Sequence, residues 1–174
     1  MATKPADAMR TFTGKWVTPL DLNPDDICIE DIAHHLSQQC RFTGATREFY
    51  SVAQHSVYVS MIADWDDRRE ALLHDASETY LSDINSPCKK QDEFTEYREI
   101  EALIMRAVSE KFNLEYPLPR SVHWADQVLL ASEFRDLMGY ENGWRDMLPW
   151  TIYPWDPKKA EKMFLKRWKH INEG

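Results

Sequence analysis

The sequence is short of glycine, of cysteine in pairs, of basic residues and of long apolar runs, and each shortage removes a class of protein. Five glycines in 174 residues, with few alternating apolar and polar positions, leave little of the pattern that strands and hairpins require. Cys28, Cys40 and Cys88 are odd in number and have no CxxC spacing. That argues against a disulfide framework or a zinc ribbon and for small buried thiols. No run of 18 apolar residues occurs, and the first residues carry no apolar core of a leader. Neither a membrane span nor secretion is expected, and the expected compartment is the reducing cytoplasm.

Lys and Arg number 21 against 29 Asp and Glu, for a net charge of −8 and a pI near 5.2. Binding to a nucleic acid polymer rests on clustered basic side chains that neutralise phosphates, so that class is not expected. A small phosphorylated substrate remains open, because a metal ion and two or three local cations suffice for it. Hydrophobic residues make up 43% and charged residues 29% of the chain, which suits one globular domain over residues 1–174 with a good core. The expected class is all-α, with six or seven helices and an irregular N-terminal extension over residues 1–24.

Met1 to Met9 reads as a frayed tail, and Thr11 to Pro24, with Gly14, Pro19 and Pro24, as irregular structure holding a short extended piece at Lys15-Trp16-Val17. Apolar residues at Ile29, Ile32, Ala33 and Leu36 predict a first helix, broken at Arg41-Phe42-Thr43-Gly44. His34 and His35 are neighbours on it and diverge by about 100°, so they cannot serve one site. Ser51 is the expected N-cap of a second helix, over which Val52, His55, Val59 and Ile62 recur at near-helical spacing. Arg68 to Tyr80 reads as a third helix, and Leu81 to Lys90 as a loop by its turn residues.

Glu93 to Asn113 is a long amphipathic run that serves as scaffold, and Ser121 is the expected cap of a helix carrying Asp126, Leu129, Leu130 and Phe134. Glu133, Arg135 and Asp136 read as buried salt-bridging or surface groups. Residues 144–157 hold three tryptophans and three prolines and read as an ordered, non-regular flap, since so many aromatics are costly to expose. Lys158 to Ile171 closes the chain as a last helix.

The chemistry centres on Leu72-Leu73-His74-Asp75-Ala76-Ser77-Glu78. A lone His-Asp pair on a helix is ordinarily a hydrogen-bonded surface pair. Here it has company: His55 stands on the apolar stripe of the second helix, and Asp126 heads an apolar helical run. Neutral imidazoles beside carboxylates make a mixed nitrogen and oxygen ligand set for one divalent ion, and Glu78 could hold or activate a water there without being a ligand.

The order His55, His74-Asp75, Asp126 resembles that of the HD-domain metal-dependent phosphohydrolases. The run His-Asp-Ala-Ser-Glu, followed by Asp83, Pro87 and Lys89, is similar to the 5′-deoxynucleotidase branch and to the small phage dATP triphosphohydrolases. The likeness covers about residues 31–138. It implies metal ligands His55, His74, Asp75 and Asp126, a catalytic Glu78, and substrate contacts from Arg41, Phe42, Asp83, Pro87 and Lys89. It further implies one divalent transition metal per site, zinc, cobalt or manganese, with magnesium accompanying a triphosphate.

The implied reaction is hydrolysis of 2′-deoxynucleotides at the α-phosphorus. The leading substrate is dATP, with dADP and dAMP, giving deoxyadenosine and the phosphate chain in control of the nucleotide pool. The resemblance also implies a homo-oligomer, a dimer or larger, in the cytoplasm, which is the host's for a phage-encoded chain. The main alternative is a base-tolerant 5′-deoxynucleoside monophosphatase. A cyclic-nucleotide phosphodiesterase ranks below it, because six histidines give no clear set for a second metal. A non-catalytic nucleotide-binding module also ranks below, because Glu78 and Asp83 are not needed to hold an ion.

Overall fold

A computed structural model describes residues 6–140, 143 and 146–173. Met1 to Pro5 and Trp144, parts of the expected tail and flap, lie outside the described residues. The protein is an all-α bundle. Its helical segments are α1 (Ile29–Gln38), α2 (Val52–Ile62), α3 (Arg68–Leu73), α4 (Glu78–Leu81), α5 (Ser86–Lys89), α6 (Thr95–Phe112), α7 (Arg120–Glu133) and α8 (Pro157–Glu173). Since α4 and α5 are single turns of four residues, six longer α-helices among the described residues build the bundle. No helix among the described residues is long and apolar enough to cross a membrane.

Helix α2 is the axis of the molecule. The Ser51 hydroxyl accepts the Gln54 N–H at 3.1 Å, satisfying one of the donors that a helix start leaves unpaired. Residues Val52 to Ser60 are then buried on every side, because α1, α3, α7 and α8 all pack against α2. A helix surrounded in this way can carry a polar side chain only if partners come to it. One core cluster joins α1, α2, α3, α6 and α8 through Ile32, Leu36, Val57, Leu72, Ile104 and Phe164. Phe164 is fully buried, so its truncation to alanine costs about 3–5 kcal/mol.

A second cluster sets Val59, Ala125, Leu129 and Leu137 against Leu148 and Ile152. Residues 146–156 form the non-regular segment that the aromatic and proline content predicts, and it is a strap rather than a flap. Arg135 donates to the carbonyls of Leu148 and Trp150, each at 2.9 Å, and Asp136 accepts the Ile152 N–H at 2.8 Å. Gln54 fixes the far end, donating to Tyr153 O at 2.9 Å and accepting from Trp155 N at 2.7 Å. Arg135 and Asp136 therefore have the structural role expected of them.

Three local expectations are corrected. Met9–Arg10 is not a frayed end: it pairs antiparallel with Trp16–Val17, and Thr13 ties this hairpin to α1 by donating its N–H and its hydroxyl to Asp31 at 2.7 and 2.9 Å. Ser121 does not cap α7, which starts at Arg120 after Pro119; its hydroxyl is hydrogen-bonded to Asp67 instead. The expected third helix stops at Leu73, with consequences described next.

Candidate metal centre and its cleft

From Leu73 the hydrogen bonds tighten to three-residue spacing, with Ala76 N to Leu73 O at 3.0 Å, Glu78 N to Asp75 O at 3.0 Å and Thr79 N to Ala76 O at 3.2 Å. His74 and Asp75 thus lie in a tight turn between α3 and α4, not within a helix running to Tyr80. Neighbouring residues of a regular α-helix point about 100° apart. The turn instead brings His74 Nε2 to 3.2 Å from Asp75 Oδ2. His55 reaches the same point from α2, and Asp126 approaches it from α7.

Three donor atoms, from His55, His74 and Asp75, converge there, and Asp126 Oδ1 stands beside His55 at the edge of the group. His55 Nε2 is 3.2 Å from His74 Nε2, 3.2 Å from Asp126 Oδ1 and 3.7 Å from Asp75 Oδ2. Ligands bound at about 2.0–2.2 Å to one ion stand roughly 3–3.5 Å apart, so the 3.2 Å separations suit a shared cation and the 3.7 Å one lies slightly beyond. The outer ring nitrogens are already used: His55 Nδ1 donates to Glu133 Oε1 at 2.7 Å, and His74 Nδ1 to the Ala71 carbonyl at 2.8 Å. A carbonyl and a carboxylate can only accept, so both Nδ1 atoms carry hydrogen. Both Nε2 atoms then face the common point, the orientation that outer partners impose on metal-bound histidines. His55, His74 and Asp75 form a group that could hold a metal ion.

Without an ion the carboxylates favour a proton on the imidazoles, which a metal must displace to bind. Burial draws the His74 imidazole down, but Asp75 beside it outweighs burial and lifts it to about 9. For Asp126, burial pushes up while the His55 hydrogen bond and charge pull down, leaving it at about 2. Asp75 is held well below the usual carboxylate range by His74, His55 and Arg41, against the upward push of burial. Carboxylates kept ionised next to paired imidazoles are a strong pull on a divalent cation.

Above the cluster lies an open cleft of about 770 Å³, its mouth included, and every residue predicted for substrate contact borders it. Arg41, Phe42, Asp83, Pro87 and Lys89 come together there with Glu78, Asp75 and Asp126. None of the described strap residues lines this cleft. Phe42 sits at φ 56° and Thr43 at φ 55°, so the break after α1 is a left-handed turn. That turn carries Arg41 inward, with Nη2 at 3.2 Å from Glu133 Oε2 and Nη1 at 3.6 Å from Asp75 Oδ2. Phe42 meets Phe134 edge-on at 5.5 Å, and the two rings with Leu130, Ile84 and Pro87 form the apolar side of the cleft.

Glu78 is buried, with Oε1 bonded to Lys89 Nζ at 3.2 Å and Oε2 without a partner. Burial, then the charges of Asp75 and Asp83, push its carboxyl well above the usual range, with Lys89 and Arg41 opposing. A second cleft of about 800 Å³ opens on the other side of the cluster, bordered by Arg98, Glu101, Tyr116 and His123 and sharing Asp75, Lys89 and Asp126 with the first.

Gln39 and Glu101 escape the sequence reading. Glu133 is the buried salt-bridging group expected of it, and the structure adds its partners, His55 and Arg41. Its spacing of seven from Asp126 is the available signal, for it puts both carboxylates on one face two turns apart. Gln39 donates to Glu78 O at 2.9 Å and accepts Asp83 N–H at 3.2 Å, setting the Asp83 loop against α4. Glu101 holds Lys89 at 2.6 Å. Neither Gln39 nor Glu101 has a local signal, because the partners come from distant segments.

The chain is 38% identical over 173 residues to the uncharacterized protein YfdR of Escherichia coli K12, covering 95% of this chain and 96% of YfdR. It is 34% identical over 154 residues to the uncharacterized protein RCAP_rcc00048 of Rhodobacter capsulatus, covering 80% of this chain and 77% of that protein. No family model matches. The chain belongs to one family with YfdR and RCAP_rcc00048.

Proposed function

We propose that this member of the YfdR family is a one-metal phosphohydrolase cleaving 2′-deoxynucleotides at the α-phosphorus, with dATP the leading substrate and dADP and dAMP also accepted. The observation that carries the reading is the meeting of the His55 and His74 Nε2 atoms with the Asp75 carboxylate, and of Asp126 beside His55, at the base of a cleft that also holds Arg41, Lys89 and a half-partnered Glu78. Mixed nitrogen and oxygen donors suit zinc, cobalt or manganese. A divalent ion held there supplies Lewis acidity to a phosphate oxygen and acidifies water.

The remaining chemistry belongs to the chain. Arg41, kept charged by Glu133 and Asp75 against its burial, offers a planar donor set to a phosphate oxygen. Glu78, whose carboxyl is raised well above its usual range by burial and by Asp75 and Asp83, gives a proton to the leaving oxygen when protonated or takes one from the attacking water when ionised. Asp83 accepts the 3′-hydroxyl and crowds the 2′ side of the sugar. Phe42 and Pro87 flank the nucleoside with flat apolar surface. The preference for adenine rests on the resemblance to the phage enzymes alone.

One observation favours the base-tolerant monophosphatase as a second reading. Both cations of the cleft, Arg41 and Lys89, are already bonded to carboxylates, which leaves little positive charge for β- and γ-phosphates. Chromatography of dATP and dAMP digests separates the two. Deoxyadenosine with tripolyphosphate from dATP supports the leading reading, cleavage of dAMP with dATP untouched supports the second, and metal-loaded protein that cleaves neither overturns both.

A further inference from the structure

Lys89 stands where the two clefts meet and borders both. Its ammonium donates to Glu78 Oε1 at 3.2 Å and to Glu101 Oε1 at 2.6 Å, using two of its three N–H groups. The shorter bond is to Glu101, which projects from α6, the 18-residue helix and the longest rigid element bordering the site. A lysine on a flexible four-carbon stem beside Glu78 alone would be free to fold onto that carboxylate or onto Asp75. The second carboxylate pulls it the other way and suspends it between the clefts.

Glu101 is not required to fasten α5 to α6. Arg98 does that, bonding to the Lys89 carbonyl and, at 2.8 Å, to the Gln91 carbonyl. The Tyr97 hydroxyl donates to Ser82 O at 3.0 Å, and Asn85 caps Cys88 N–H at 3.1 Å. With the backbone held independently, the Glu101 carboxylate acts on the ammonium itself.

We propose that Glu101 is a positioning residue, holding the Lys89 ammonium at the junction of the clefts so that its third N–H meets a phosphate oxygen of the ligand while Glu78 stays bonded to it. The proposal rests on the phosphohydrolase reading, and it assigns Glu101 no contact with substrate. Losing Glu101 lets Lys89 settle on Glu78, which removes the donor from the ligand and ties up the proton-carrying group together.

The test is calorimetric titration of inorganic phosphate into the metal-loaded full chain, for the wild type, Glu101→Gln, Lys89→Gln and the double variant. The expected result is phosphate binding weakened about tenfold or more by Glu101→Gln, the size of one charge-assisted hydrogen bond. Metal content and melting temperature should not change. The double variant should bind no more weakly than Lys89→Gln, because residues acting through one contact are non-additive.

Wild-type affinity in Glu101→Gln, or fully additive losses, overturns the proposal and leaves the phosphohydrolase reading standing. Absence of phosphate binding by the wild type overturns both. Should the amide variant not fold, Glu101→Asp draws the same carboxylate back by one methylene: weaker phosphate binding at full metal content supports the proposal, and unchanged affinity overturns it.

Discussion

The Nδ1–H of His55 donates to Glu133 Oε1 at 2.7 Å, and both side chains are sealed from solvent. The other Glu133 oxygen accepts Arg41 Nη2 at 3.2 Å. One buried carboxylate therefore fixes the tautomer of a candidate metal ligand and holds the guanidinium at the cleft. Arg41 and His55 keep Glu133 ionised, below the usual glutamate range, although burial alone would raise it.

Glu133→Gln should weaken metal binding about 10- to 100-fold, as the loss of an outer partner to a ligating histidine does. Competition with a chromophoric chelator measures this. Unchanged affinity would mean that His55 is oriented by packing alone.

Glu78→Gln should leave the bound metal in place and lower turnover by roughly 10²- to 10⁴-fold, the usual contribution of a positioned acid or base. Elemental analysis beside steady-state rates separates the effects. If the metal left with the carboxylate, Glu78 would be a ligand.

The N-terminal hairpin gives a pH prediction away from the cleft. Asp31 is fully buried and accepts from Thr13 and Cys28. Burial pushes its pKa up, but these hydrogen bonds outweigh it and bring the value below 3.8. A lowered folded-state pKa contributes stability that is present above the unfolded value and lost as pH falls through the folded one. The melting-temperature gap between wild type and Asp31→Asn should therefore be full at neutral pH and close below about pH 4. A gap that widened with acid would refute the assignment.

Much of this was open to reading in the chain, and the gaps have physical causes. Ser51 and the stripe from Val52 to Ile62 mark α2, and α2 carries His55. The turn at His74-Asp75 has no such mark: Leu73 to Glu78 contains no Gly or Pro, and its Leu, Ala and Glu favour helix. The helix yields there to side-chain bonds, a local one from His74 to Ala71 O and a tertiary one from Gln39 to Glu78 O. The Ser121 hydroxyl likewise serves Asp67, 54 positions away, rather than its own helix. Glu101 and Lys89 meet where Arg98 holds the end of α5 against α6.

The central claim is that side chains from α2, the turn after α3, and α7 hold one divalent ion. Metal content per chain, measured by elemental analysis after purification without chelator and again after reconstitution, tests it most directly. The account predicts about one ion per wild-type chain and near none in His74→Ala. Less than about half an ion per wild-type chain under both conditions, or equal content in the variant, would contradict it.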